Sequence, residues 1–229
     1  VGGFVTKSPE NLYRRWTPFG MLSSHVRSHG EPPTEPWEYS KSFLEDFRKA
    51  DNMRYELMPY IYAQAKESSE NGLPMMRALF IEFPDDAGSW LIDNEYLFGS
   101  SMLVAPLFEE ETERDVYLPE GTWIDYQTHE VYKGGWHKIK AGEIPIIALV
   151  KNGTVLPHIK LAQSTQALDW STLNLKVYAD ENTTRASGKV YLPGGDAVQT
   201  ISLNNSGNSF SLNENPLQGK TDFKVELQK

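Results

Sequence analysis

Residues 71–86 read NGLPMMRALFIEFPDD, and the grammar of the chain changes inside them. Upstream, apolar residues recur every three or four positions. Downstream, short apolar runs alternate with turn residues. Asn71-Gly72 is a helix stop, because glycine takes the left-handed conformation that ends a helix without a steric penalty. Residues 75–83 form an apolar run closed by Pro84-Asp85-Asp86, which predicts a strand followed by a turn that Asp can cap.

Working back from residue 71, the stripe Phe43, Phe47, Ala50, Met53, Leu57, Ile61 predicts a long amphipathic helix. Ser40 or Ser42 can cap it. Pro59 should kink or divide it, since proline removes a backbone donor and costs about 3 kcal/mol in a helix interior. Gly30-Glu-Pro-Pro-Thr-Glu-Pro36 is a loop. Before it, Ser8-Pro9-Glu10 predicts a helix start with Ser8 as cap, and Leu12, Trp16 and Phe19 follow at helical spacing. The two apolar stripes need a sheet or barrel to cover them. Few strands precede the β region, so the expectation is a helical unit whose cover lies in polypeptide outside this chain.

Working forward, a short helix is expected near 94–98. Strands are expected at 102–108, 114–118, 122–126, 136–139, 144–150, 154–156, 173–178, 189–192, 198–203, 209–212 and 222–227. Gly and Asn turns separate them, which points to antiparallel sandwiches. Composition shifts near Leu161, where Asn, Ser and Thr thicken. The fold expected is an α+β multi-domain fragment divided at 1–80, 81–160 and 161–229.

The 229 residues are ample for buried cores, and the 39% hydrophobic content is that of a globular chain. A net charge of −9 lacks the basic footprint that nucleic acid or an anionic membrane surface requires. No apolar run approaches a membrane span. Cysteine is absent, which excludes disulfides, thiolate nucleophiles and Cys-based zinc sites. Localisation cannot be read from the residues. Self-association into a homo-oligomer is compatible with them and not specified by them.

Arg27-Ser28-His29-Gly30 is the most informative stretch for chemistry. His25 and His29 would share a helix face if the helix reached that far. No Glu lies between them at the metalloprotease position and no further ligand is evident, so no metal is expected. From the residues alone, His29 reads either as a loop histidine held by hydrogen bonds or as a functional group in a loop. Glu31, Glu35, Glu38, Asp85, Asp86, Asp93 and the Glu109–Glu111 run offer carboxylates, but their spacing selects no acid/base pair, and the run reads as solvated surface. Ser23-Ser24 lacks a nucleophile elbow, and no phosphate loop is present. Trp16, Trp37, Tyr39, Trp123 and Trp136 could stack on sugar rings, although such aromatics usually build cores, and Trp123 is assigned to packing.

Seven motifs then stand in order: "GGF", "LYRRWTPFGMLSSHVRSHG", "EPWEY", "MRYELMPYIYAQA", "PMMRALFIEFPDD", "NEYLFGSSMLVAPLF" and "VYLPEGTWIDYQTHEVYKGG". Together, over residues 1–157, they resemble the C-terminal portion of glycoside hydrolase family 31, the α-glucosidase and α-xylosidase group. The tail, 158–229, fits the family's distal β module only by position and strand character. The resemblance implies the C-terminal end of a (β/α)8 TIM barrel followed by two antiparallel β-sandwich domains. It implies a retaining α-glycosidase acting on terminal α-xylosyl or α-glucosyl residues of an oligosaccharide substrate, without a cofactor. Its catalytic Asp pair lies upstream in the same polypeptide, so no catalytic residue falls in this chain, and the chain alone is expected to be inactive. By position, Phe4 matches a residue lining the sugar pocket and His29 a residue bonding a sugar hydroxyl. The wording of "SSHVRSHG" leans towards the α-xylosidase branch. The rival reading is a non-catalytic carbohydrate-binding or barrel-bracing β module.

Overall fold

A computed structural model describes residues 1–207 and 209–228. Four helices come first or nearly so: α1 (Glu10–Met21), α2 (Lys41–Glu56), α3 (Met58–Asn71) and the one-turn α4 (Leu79–Glu82). Pro59 divides the long helix as its chemistry demands, at the α2–α3 junction. Ser40 caps α2 by accepting from the Phe43 N–H. Gly72 ends α3 at φ +72°, its N–H bonded to the Ser68 carbonyl. Ser8 does not cap α1. Its hydroxyl donates instead to the Gly2 carbonyl at 2.8 Å.

The strand expected at 75–83 is mostly not one. Only β1 (Met76–Arg77) pairs, with β2 (Tyr96–Phe98), and the chain then turns into α4. Leu79 from α4 is fully buried, so the apolar run fills a core without joining a ladder. The helix expected at 94–98 is likewise β2, with a 3-10 turn earlier, at Gly88–Trp90. Just before that turn, the Asp86 carboxylate accepts from the Gly88 N–H at 2.9 Å.

The first sheet adds β3 (Met102–Pro106), β4 (Glu113–Asp125), β5 (Val131–Lys140) and β6 (Ile146–Lys151), in the order β1-β2-β3-β6-β4-β5 and antiparallel throughout. β4 replaces two expected strands. It bends at a register shift between Leu118 and Thr122, where Gly121 sits at φ +132°. Every residue of β3 is buried, because the sheet is covered on both faces. Met102 and Val104 face the helices, and Leu103 and Ala105 face a second core with Val116, Leu118 and Trp123. Trp123 is core, as its strand setting suggested, and its indole N–H donates to the Pro119 carbonyl.

The α2 stripe finds its cover within the chain, contrary to expectation. Phe43 and Leu57 are fully buried and Met53 nearly so. Ala50, Met53, Leu57 and Ile61 pack with Phe98, Met102, Val104, Ala148 and Val150 of the first sheet, and Phe43 packs with Tyr13 and Tyr39. Burying each such large side chain contributes about 1.5–3 kcal/mol. The sequence argument failed because the sheet that follows folds back over the helices that precede it. On α1 the outcome differs, and Leu12 stays exposed.

The second sheet holds β7 (Thr154–His158), β8 (Thr172–Tyr178), β9 (Arg185–Val190), β10 (Gln199–Asn205), β11 (Phe210–Leu212) and β12 (Asp222–Gln228), in the order β11-β10-β9-β7-β8-β12. It is mixed, not antiparallel as expected. β12 runs parallel to β8 over its whole length, and β7 meets β9 in parallel at Thr154 and Ser187. A Cβ on Gly188 would lie 2.0 Å from the Val155 carbonyl oxygen, so only glycine lets β9 close on β7. This sheet docks on the helices. The Ile159 N–H donates to the Glu56 carbonyl, Lys189 pairs with Glu67, and Tyr62 packs on Tyr191.

Candidate functional site

Two loops carry the residues singled out from sequence. Gly2 and Gly3 sit at φ +86° and +82°, a region side-chain-bearing residues rarely enter. They turn the chain so that Phe4 stands out with 55% of its surface exposed. Gly2 also admits the Tyr13 ring, since a Cβ there would lie 2.9 Å from it. Tyr13 in turn shares a 2.7 Å hydrogen bond between its hydroxyl and that of Ser28, on the segment that carries His29.

The same segment is fixed from its other side. The half-buried Arg54 guanidinium donates to the carbonyls of Met21 and Ser23 at 2.6 and 2.8 Å, and the Tyr96 hydroxyl donates to the Leu22 carbonyl at 2.8 Å. Desolvation lowers the Arg54 pKa, an effect Asp51 opposes, and burial raises that of Tyr96. Neither change alters their charge near neutral pH. Sequence reasoning missed Tyr13, Arg54 and Tyr96 as the residues that position this segment. Arg54 and Tyr96 stand inside quoted motifs, but nothing in their spacing points at residues 22–24.

At Gly30 the two loops touch. A Cβ there would lie 2.8 Å from the Gly3 carbonyl oxygen, and next to it the Glu31 N–H donates to the Phe4 carbonyl at 2.8 Å. This contact brings the Phe4 and His29 rings together, with centroids 5.1 Å apart and planes inclined by 40°. Both side chains are exposed. An apolar ring face beside an imidazole suits a ligand with both C–H and O–H surfaces.

The remaining candidates separate. Helix α1 ends at Met21, so His25 and His29 share no helix face, and His25 meets Ser24 in an exposed loop. Among the described residues no group of three or more His, Asp or Glu could hold a metal ion. Arg27 is exposed. Glu31, Glu35 and Glu38 are exposed as well. Trp37 and Trp136 are exposed at 67% and 62%, whereas most of the aromatics were expected in cores. No helix among the described residues is long and apolar enough to cross a membrane.

The helical unit thus leads into two β sheets, with an aromatic–imidazole pair on its loops. Residues 1–64 match the TIM-barrel domain of the glycosyl hydrolases of family 31, and residues 72–156 match that family's C-terminal domain. The chain belongs to glycoside hydrolase family 31. It is 37% identical over 167 residues to the α-xylosidase of Emericella nidulans, covering 69% of this chain and 21% of that one. It is 34% identical over 174 residues to α-glucosidase 2 of Bacillus thermoamyloliquefaciens, covering 74% and 22%. The glucose complex of the Flavobacterium johnsoniae family 31 dextranase superposes with a TM-score of 0.82 at 27% identity, over 96% of this chain and 30% of that one. The family 31 α-xylosidase of Xanthomonas citri does so at 0.80 and 27%, over 95% and 26%. The chain thus spans about a fifth of the length of the curated relatives it matches.

Proposed function

We propose that this chain forms part of a retaining α-glycosidase that removes terminal α-xylosyl or α-glucosyl residues from oligosaccharides. Residues 1–80 end the catalytic barrel. Residues 81–160 and 161–229 form proximal and distal β domains that brace it, with β7 lending its strand to the second sheet. The catalytic Asp pair lies upstream in the same polypeptide. One Asp forms the glycosyl-enzyme, and the other first protonates the leaving oxygen and then activates water. This chain supplies one wall of the sugar pocket. Phe4 offers an apolar face to the ring, and His29 offers a directional hydrogen bond to a hydroxyl.

The observation that carries this reading is the Phe4–His29 pair, drawn from two loops and left open to solvent. His29→Ala in the intact enzyme should lower kcat/KM by about 10²-fold, the scale expected when a site built to bond a hydroxyl loses its partner. A value near that of the unsubstituted enzyme would remove His29 from the pocket.

A further inference from the structure

His29 stands in a stretch with no regular structure of its own. Residues 25–30 belong to no helix or strand, so their place is set by contacts from elsewhere. Tyr13 of α1 makes such a contact. It is fully buried, and its hydroxyl lies 2.7 Å from that of Ser28, the residue before His29. The ring of the same side chain seats the other loop. A Cβ on Gly2 would lie 2.9 Å from the Tyr13 Cζ, so the backbone two residues before Phe4 rests against it. One side chain thus touches both loops of the pocket, by its ring on the Phe4 side and by its hydroxyl on the His29 side.

The ring itself has little room to move. Phe43 packs on it at 4.9 Å between centroids, Tyr39 at 5.3 Å edge-on and Phe47 at 6.2 Å. Phe43 is fully buried on α2, and the Thr17 hydroxyl donates to the Tyr13 carbonyl at 2.8 Å. Burial raises the Tyr13 pKa, against the Ser28 hydrogen bond, so the phenol keeps its proton near neutral pH. A packed ring with a neutral hydroxyl at its tip is a fixed point from which one hydrogen bond can hold a loop. A buried phenol also needs a partner for its own sake. That need alone would make the bond structural. Its placement one residue from His29 gives it a second consequence, because a hydrogen bond to a sugar hydroxyl is directional and a displaced imidazole loses it.

We infer that Tyr13 is a positioning residue for the sugar pocket, its hydroxyl acting through Ser28 to hold His29 where it meets the sugar. This rests on the pocket reading above and adds to it the side chain that keeps the two walls in register. The test is a double-mutant cycle in the intact enzyme, on p-nitrophenyl α-xyloside and α-glucoside. Tyr13→Phe keeps the ring and removes only the hydroxyl, and should lower kcat/KM about tenfold on whichever glycoside the enzyme cleaves. Ser28→Ala breaks the same bond from its other end and should match that loss. With His29 already replaced by Ala, Tyr13→Phe should cost less than about twofold, because the group it positions is gone. A merely structural hydroxyl would cost the same in both backgrounds, and that result overturns the proposal. So would a Tyr13→Phe or Ser28→Ala enzyme with unchanged kcat/KM. Where His29→Ala alone lowers kcat/KM about 10²-fold and the cycle is additive, Tyr13 loses its role and the pocket reading stands. Where His29→Ala alone leaves kcat/KM unchanged, the pocket reading itself fails and the role of Tyr13 goes with it.

Discussion

Glu95 offers a sharp test of how the first sheet is held together. It lies just before β2, with its side chain fully buried. One carboxylate oxygen accepts from the Tyr117 N–H at 2.9 Å, bonding a stretch of β4 that β6 does not reach. The other oxygen has no hydrogen-bond partner among the described residues. Arg114 Nη2 is 3.7 Å from the first oxygen, too far to bond well, while its Nη1 serves the Asn94 and Pro106 carbonyls. Burial pushes the Glu95 carboxyl from 4.5 up to about 7, against the Tyr117 N–H and the Arg114 charge, which pull it down.

A carboxyl whose pKa is raised by folding keeps its proton in the folded state while the unfolded chain releases it. Its contribution to stability is full below pH 4.5 and is lost as pH rises through about 7. At 1.36 kcal/mol per pKa unit, the loss across that window is roughly 3 kcal/mol. Glu95→Gln keeps an acceptor for Tyr117 and removes the charge. Its stability relative to the unsubstituted chain should therefore climb by roughly 3 kcal/mol between pH 4.5 and 8, measured by urea unfolding at steps across the range. Using the difference cancels every other titrating group. A relative stability that stays level with pH, or that falls between pH 5 and pH 8, would refute the reasoning.

Two other expectations concern the core. His158 is fully buried, accepting from the Tyr126 hydroxyl on one ring nitrogen and donating to the Leu156 carbonyl from the other, and burial depresses it to about 3. A histidine depressed by folding contributes stability above pH 6.5 that is lost as pH falls towards 3, so His158→Gln should flatten that acid limb in pH-dependent thermal unfolding. Gly188→Ala should destabilise the chain by about 2 kcal/mol or more, because the added methyl meets backbone that cannot rotate away, and a midpoint unchanged in urea would contradict that close approach.

Much of the helical half was legible because its signals are local. Pro59 divides the helix, Ser40 caps it and Gly72 ends it through chemistry confined to a few neighbouring residues. The family could also be read, since ordered motifs survive without any knowledge of contacts. Residues 75–83 were misread because an apolar run suits a strand or a buried turn of helix equally, and only the length of β2 opposite decides where pairing stops. The parallel course of β12 was invisible for a similar reason. Which sheet edge lies open beside β8 is settled by the whole domain.

The site divides in the same way. Sequence named Phe4 and His29 but left them 25 positions apart with no force between them. Tertiary structure set them 5.1 Å from one another, through the Tyr13–Ser28 hydrogen bond, the bare Cα of Gly30 and the anchors of Arg54 and Tyr96. Trp123 is core, as its strand setting suggested, whereas the exposure of Trp37, on its 3-10 turn, is a matter of tertiary structure. Local sequence fixes what a side chain can do and how its own backbone bends. Which surfaces meet is a sum over contacts distant along the chain, and that sum exists only once the sheet has folded back over the helices.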